Sequence, residues 1–420
     1  MSGIMTQGIL PRVVSDKTGY GVAVDIGTTT IAAYLYDMGA NKRLAVESRM
    51  NAQSRYGADV ISRIQYCGEH KKGLQTLRQA VISELNDMIR TMCGLAEIPE
   101  DDIIYGVVTG NTTMLHLLSG LSPESMGVLP FKPLSVFGNT VPMAGLGLHA
   151  AKGAMCYLPP CMSAFVGGDI SCALLPAGFL EGQDICLLMD IGTNGELVLG
   201  NKDFVYSTST AAGPAFEGAH ITCGMAGVKG AVNRVYEEDG QLKTEVVGNT
   251  GANGICGSGL LDAIAVLRRN AVIDETGRIT EVHKEWQRMF EGQEAVQITD
   301  KVFLTQQDIR EVQMAKAAIV AGIRALLKSA KLTCTDVKKV FLAGGFGNYM
   351  DQQSAREIGL LPSGFTEVIG LGNAAGSGAI MTLLNDCYRN EMQGFCRRAR
   401  HIELGHNPYF MEKYMEEMYF

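Results

Sequence analysis

Asp25-Ile26-Gly27-Thr28-Thr29-Thr30 recurs one domain's length later as Asp190-Ile191-Gly192-Thr193-Asn194-Gly195. Each block follows an apolar run with strand character (residues 20–24 and 185–189) and precedes another (residues 31–36 and 197–199). Both therefore read as strand–turn–strand hairpins with an acid at the end of the first strand. Gly27 and Gly192 lack a Cβ, so the backbone N–H groups there can approach an anion closely. The hydroxyls of Thr28, Thr29, Thr30 and Thr193, with Asn194 and Gly195, complete two anion-binding concavities. Asp25 and Asp190 would repel a phosphate directly. They make sense around a hydrated Mg²⁺, which keeps its waters and takes few carboxylates. Two such turns in one chain predict two halves closing on one ligand.

Composition sets the limits. The chain has 420 residues, 46% hydrophobic and 19% charged, which is enough for two or three folded domains and excludes wholesale disorder. A net charge of −8 without a long basic run argues against nucleic acid as a partner. No apolar stretch reaches the length of a membrane span and no signal-peptide pattern opens the chain, so no membrane partner and a cytoplasmic location are expected. None of the eleven cysteines forms a C-x-x-C pair. They read as buried free thiols, with Cys156 and Cys161, or Cys387 and Cys396, as pairs that folding could bring into a site. The 50 glycines follow no short period and gather at strand ends.

The duplication extends beyond the turns. Residues 103–109 form a strand that runs into Gly110-Asn111-Thr112-Thr113, and residues 340–343 form one that runs into Gly344-Gly345-Phe346-Gly347-Asn348. Small-residue helices are expected over residues 163–175 and 373–384, crossing closely at the base of a cleft. Amphipathic helices are expected over residues 74–92, 257–267 and 307–327, the last capped by Thr305. Residues 274–301 read as an insertion or irregular hairpin, and the tail from Arg397 as an extra strand and helix on the body.

Several segments offer chemistry. Gly257-Ser258-Gly259 opens a helix, where free N–H groups suit a ribose or phosphate, or where the glycines simply ease the helix entry. Gly344, Gly345 and Gly347 would let backbone press on a flat adenosine, with Phe346 either beside it or in the core. Gln313 and Lys316 lie on the more polar side of their helix, either reaching a purine edge or facing solvent. Asn51, Gln53, Asp59 and Arg63 line the cleft mouth or belong to a surface loop. Glu217, in a Gly-rich loop, is the candidate to orient an attacking water. No histidine sits in a Gly block, so a Ser–His or Cys–His catalytic pair has no support.

These blocks, with Ala343-Gly344-Gly345-Phe346-Gly347 and Gly372-Asn373-Ala374-Ala375-Gly376-Ser377-Gly378, resemble the actin, sugar kinase and heat-shock chaperone superfamily. Asn51-Ala52-Gln53, Tyr56 to Ile64, Gly110 to Met114, Ala212 to Ala219 and Gly254 to Asp262 resemble, more narrowly, the reductive activators of corrinoid proteins. The resemblance implies an α/β chain with a duplicated ribonuclease-H-like, actin-like ATPase fold, its two lobes closing around a nucleotide cleft. It implies an N-terminal extension (1–18), lobe I (19–165, with 372–390 returning to it), lobe II (166–371) and a C-terminal tail (391–420). It implies ATP and Mg²⁺ as cofactors, Asp25 and Asp190 as metal-holding and catalytic residues, and Glu217 as a third catalytic residue. The activity implied is ATP-driven return of a corrinoid protein from cob(II) to cob(I) in a methyltransferase system of anaerobic metabolism. Members of this family usually carry an iron–sulfur module, and none is recognisable here, so a separate ferredoxin is a candidate donor and a homodimer a candidate assembly. A small-molecule kinase of the same superfamily and an activator of 2-hydroxyacyl-CoA dehydratases are the alternative readings.

Overall fold

The computed structural model describes residues 6–179 and 181–420. The first half begins with strands β1 (Tyr20–Ile26), β2 (Thr30–Asp37) and β3 (Lys42–Met50). Helices α1 (Val60–Glu69) and α2 (Gly73–Ala96) follow, then β4 (Ile103–Gly110), α3 (Thr112–Ser119) and β5 (Asn139–Pro142). One-turn α4 (Met143–Leu146), β6 (Met155–Leu158) and short α5 (Gly168–Ala173) complete it. The second half repeats the opening with β7 (Cys186–Ile191), β8 (Gly195–Gly200) and β9 (Val205–Thr210). It adds β10 (Ala231–Glu238), β11 (Gln241–Val246), β12 (Gly254–Ile255) and α6 (Gly257–Arg269). Strands β13 (Gln287–Phe290), β14 (Gln293–Gln297) and β15 (Phe303–Thr305) precede the long α7 (Gln306–Ala330). Then come β16 (Lys339–Ala343), α8 (Gly344–Tyr349), α9 (Gln352–Glu357), β17 (Glu367–Gly372) and α10 (Ala374–Leu384). The chain closes with α11 (Cys387–Arg398), β18 (Arg400–His401) and α12 (Pro408–Glu416).

Two six-stranded sheets carry the architecture, in the orders β3-β2-β1-β4-β6-β5 and β17-β16-β7-β8-β9-β18. In each, an antiparallel meander (β1–β2–β3, β7–β8–β9) is extended by parallel strands on the far side of its first member. The same connectivity twice places Asp25 and Asp190 at equivalent strand ends. Buried β1 and β2 pack on α2, whose Leu77, Val81, Leu85, Met88 and Met92 are all buried, as the spacing predicts. In the second half, α6 and α7 supply the core against β7 and β8. Helix α7 starts at a full capping box, Thr305 with Asp308, satisfying two backbone donors that the helix leaves open.

The two small-residue helices meet as expected. At Gly378 of α10 a Cβ would overlap the Cys172 carbonyl of α5, so only glycine permits the crossing. Helix α5 is much shorter than expected. The N–H groups of Phe165 and Val166 donate to Ser163 Oγ, and a Cβ on extended Gly167 would meet Asn111 Cα, which holds the segment before Gly168 out of a helix. The polar stretch 274–301 contributes the β13–β14 hairpin, which β15 joins in a small sheet. The tail adds β18 to the edge of the second sheet, parallel to β9, and lays α12 on α7.

Candidate functional site

The first turn is built from behind. The Ile26–Ile31 pair closes the β1–β2 hairpin, and a Cβ on Gly27 would stand 2.6 Å from the Thr30 carbonyl oxygen. Its carbonyls are held on the far side. Asn51 Nδ2 donates to Gly27 O (2.9 Å), the Asn51 N–H to Thr29 O (2.8 Å) and Arg63 Nη2 to Thr28 O. Asn111 Nδ2 donates to Thr28 Oγ1 (3.0 Å). Carbonyls bound this way leave the loop's N–H groups as the open face, which suits an anion. Arg63 is fully buried, also donates to Gln53 Oε1 (3.2 Å), and burial pushes its guanidinium down to about 10. This corrects both readings of the segment. Asn51, Gln53 and Arg63 lie neither at the cleft mouth nor on the surface but brace the turn, while Asp59 caps α1 by accepting the Ser62 N–H at 2.7 Å.

The second turn is looser. The Gly192 N–H donates to Asn194 O (2.9 Å), and Gly195 packs under Thr210 and Ile319. Thr193 Oγ1 donates to Glu217 Oε2 (2.6 Å), and a Cβ on Gly192 would lie 3.3 Å from Glu217 Oε1. Glu217 thus lines the second turn.

Five acids share this region. Asp25 and Asp190 end β1 and β7, Asp169 sits in the first turn of α5, Glu196 pairs across from Asp190 on β8, and Glu217 flanks them. Burial pushes the carboxyls of Asp25, Asp169 and Asp190 up to about 7. Like charges add to this: Asp190 raises Asp25, Asp25 raises Asp169, and Asp169 and Glu217 raise Asp190. Glu196 and Glu217 are likewise raised by burial, and at Asp25 the nearby Asn373 side chain pulls the other way. Acids held in such mutual opposition fit a divalent cation. Among the described residues no three His, Cys, Asp or Glu side chains form a metal cage by themselves. A Mg²⁺ bound chiefly through water and phosphate needs no such cage. Of these acids the sequence offers Asp169 only as a candidate base under the small-molecule kinase alternative, and Glu196 not at all. The available signals were Gly167-Gly168 before the first and the second turn immediately before the other.

The glycine blocks of the second half divide. Gly344, at φ +78°, would place a Cβ 2.6 Å from Asp190 Oδ1, so its backbone lies against the acid, and exposed Gly345 faces open space. Phe346 is instead core, stacked on Phe216 at 4.5 Å and 17°, and Gly347 packs on Leu342. A Cβ on Gly257 would overlap Phe216 O, one on Gly259 would overlap Val232 O, and Ser258 Oγ donates to Asn233 O (3.0 Å). This triplet seats α6, so its glycines serve close packing.

Gln313 and Lys316 require a correction. Both are buried, not solvated, and donate to backbone carbonyls, mostly of the C-terminal segment. Gln313 Nε2 donates to Met418 O (2.7 Å) and Thr276 O (3.0 Å), and Lys316 Nζ to Glu417 O (2.7 Å) and Tyr419 O. With those hydrogens engaged, neither side chain is available to a purine.

Two lobes of repeated topology, each presenting an acid-ended hairpin turn, define an actin-like ATPase domain. The chain belongs to the RACo family: residues 184–420 match the C-terminal domain of RACo, the ASKHA domain, and residues 20–181 match the RACo middle region. It is 37% identical over 439 residues to the corrinoid activation enzyme RamQ of Eubacterium limosum, covering 99% of this chain and 72% of that protein. It is 24% identical to a Co(II) methylated amine-specific corrinoid protein reductase of Methanosarcina barkeri, covering 85% of this chain and 68% of that one. A solved reductive activator for a corrinoid, iron–sulfur protein superposes with a TM-score of 0.84 at 36% identity, over 96% of this chain and 66% of that chain. This chain therefore spans about two thirds of the solved activator's length.

Proposed function

We propose that this chain binds Mg·ATP between its two turns, hydrolyses it, and uses the cycle to drive reductive reactivation of a corrinoid protein from Co(II) to Co(I). The observation that carries the reading is the convergence of acids and open backbone N–H groups from equivalent ends of β1 and β7, in a chain of this family. Backbone N–H groups of the two turns, that of Gly192 excepted because it already donates to Asn194 O, hold the phosphates. Asp25 and Asp190 hold the hydrated Mg²⁺, which neutralises charge on the phosphate oxygens when bound. Glu217, fixed by Thr193, orients the attacking water. Gly344 and Gly345 supply a flat backbone wall for the nucleoside.

The cobalt step takes one electron from a separate low-potential donor of the ferredoxin class, and Co(II) becomes Co(I). Nucleotide drives that uphill step only if the protein holds the corrinoid partner with different affinity in different nucleotide states. No helix among the described residues is long and apolar enough to cross a membrane. With eleven free thiols we place the protein in the reducing cytoplasm.

The test mixes the chain, a purified corrinoid protein in the Co(II) state and a low-potential reductant, and follows the Co(I) absorbance. The expected result is Co(I) formation that requires ATP and falls about 100-fold with Asp25→Ala or Asp190→Ala. Full activity in both variants would contradict the assignment.

A further inference from the structure

Residues 127–138, between α3 and β5, read Gly-Val-Leu-Pro-Phe-Lys-Pro-Leu-Ser-Val-Phe-Gly and present several large apolar side chains to water. Val128, Leu129, Leu134 and Val136 are 64, 58, 62 and 50% exposed. No other nine consecutive residues of the described chain expose four large apolar side chains. Single exposed apolar residues are ordinary, whereas a crowd of them marks a surface that meets something. The segment is nevertheless firmly held. The Phe131 N–H donates to Val128 O (2.7 Å), Ser125 Oγ to Lys132 O (2.6 Å), the Ser135 N–H to Nε2 of buried His116 (3.3 Å) and the Cys161 N–H to Val136 O (2.8 Å). Phe137 sets its ring edge-on to His116 at 5.1 Å, and Phe131 to Phe165 at 5.4 Å. Leucine and valine side chains kept in water by an ordered backbone cost free energy that contact with an apolar partner recovers.

The same segment is tied to the first turn by two routes. Ile64 of α1 packs with Met126 and Ala164, and a Cβ on Gly127 would lie 2.8 Å from Ile64 Cγ2. The residue before it on α1 is Arg63, which donates to Thr28 O. On the other route Thr112 Oγ1 donates to Ser163 O (2.7 Å), beside Ala164, and the adjacent Asn111 donates to Thr28 Oγ1 (3.0 Å). Residues 130–133 also share a groove of about 310 Å³ with His401 of β18, so the segment borders the second half as well as the first.

We infer that residues 127–136 are the docking surface for the corrinoid protein, which meets them with an apolar face carrying a carboxylate at its rim. This rests on the proposed reactivation of such a protein. Two observations select this occupant. The first is charge. Lys132 is the only charged residue of the segment, is exposed and forms no ion pair with a described residue, in a chain whose net charge is −8. An acidic partner face is repelled by the chain as a whole and admitted at this cation. The second is position. ATP drives the reduction only if the corrinoid protein is held differently in different nucleotide states. Phosphate at Thr28 and a partner at Leu129 bear on the same packed elements, α1 and the start of α3, which gives the surface a physical route to the nucleotide. A second copy of the chain or a membrane has no need to sense the turn.

The test is calorimetric titration of the whole chain with the Co(II) corrinoid protein that it reactivates, beside sedimentation of the chain alone. Leu129→Glu and Leu134→Glu, at exposed positions, each weaken binding about 30-fold or more. Lys132→Glu weakens it about fivefold at low salt and less at high salt. Mg·ADP affinity stays within about twofold in all three variants, which shows that they fold. Binding that survives both leucine substitutions within about twofold overturns the inference and leaves the reactivation reading standing. A chain that sediments as a dimer and becomes a monomer in Leu129→Glu assigns the surface to a second copy and overturns the inference as well. A chain that reactivates no corrinoid protein overturns both.

Discussion

The two turns look alike in sequence and are supported in opposite ways. The first is backed by a buried polar scaffold, with Arg63, Asn51 and Asn111 each taking hold of it. The second leans on one acid, Glu217, through the hydroxyl of Thr193. Duplication has thus given one turn braced by buried polar groups and one turn supported by a carboxyl group. A rigid element fixes where the phosphates sit, and an acid-lined one can do chemistry on them.

The largest expected contrast is between the two glycines. Gly27→Ala drives a methyl to 2.6 Å from the Thr30 backbone oxygen, which cannot retreat, whereas Gly192→Ala meets the far end of the Glu217 side chain at 3.3 Å, which can. Calorimetric titration with Mg·ADP should show a loss of about 100-fold for the first and no more than about threefold for the second. Equal losses would end the distinction between the turns. Next is the brace. Arg63→Ala empties a fully buried site and leaves Thr28 O and Gln53 Oε1 without their donor, so denaturant unfolding should report a loss of about 3 kcal/mol or more. Third is the chemistry of the looser turn. Glu217→Gln keeps an acceptor for Thr193 but loses the charge proposed to orient water, so turnover should fall about 30-fold while the Mg·ADP affinity stays within about threefold. A matching loss of affinity would make Glu217 a binding residue instead.

The predicted hairpins, the α7 cap and the crossing of α10 over α5 were all legible because each follows from local residue chemistry. Asp-Ile-Gly-Thr after an apolar run dictates its own turn, and Gly378 dictates close approach. Glu196 was not legible as a site residue, and Asp169 only as a candidate base for a kinase, since only the β7–β8 register and the docking of α5 bring them beside Asp190. Gln313 and Lys316 show the same boundary from the other side. Periodicity identifies a polar stripe on α7 but cannot say that the last residues of the chain will lie on it. Lys316→Met should accordingly lower stability by about 1–2 kcal/mol and free the C-terminal residues to proteolysis, with Mg·ADP affinity unchanged. A tenfold loss of affinity would restore the nucleotide role.

The last expected effect is a slope. Asp25, Asp169 and Asp190 titrate near 3.8 when unfolded and at about 7 when folded. A carboxyl raised on folding favours the folded state at low pH, and that contribution is lost as pH climbs from about 4 through about 7. Melting temperature without nucleotide should therefore fall over this window through these groups. Asp190→Asn should flatten the fall, and Mg·ADP should offset it at the upper end. An identical slope in Asp190→Asn would contradict the mutual opposition of these acids.

The most direct test of two acids gripping one Mg·nucleotide is a double-mutant cycle on Asp25 and Asp190, read by calorimetric titration with Mg·ADP. One site per chain is predicted, with each single Asn variant losing at least about tenfold in affinity and the double variant losing clearly less than the product of the two. Two binding events per chain, or losses that multiply as independent sites do, would contradict the shared grip.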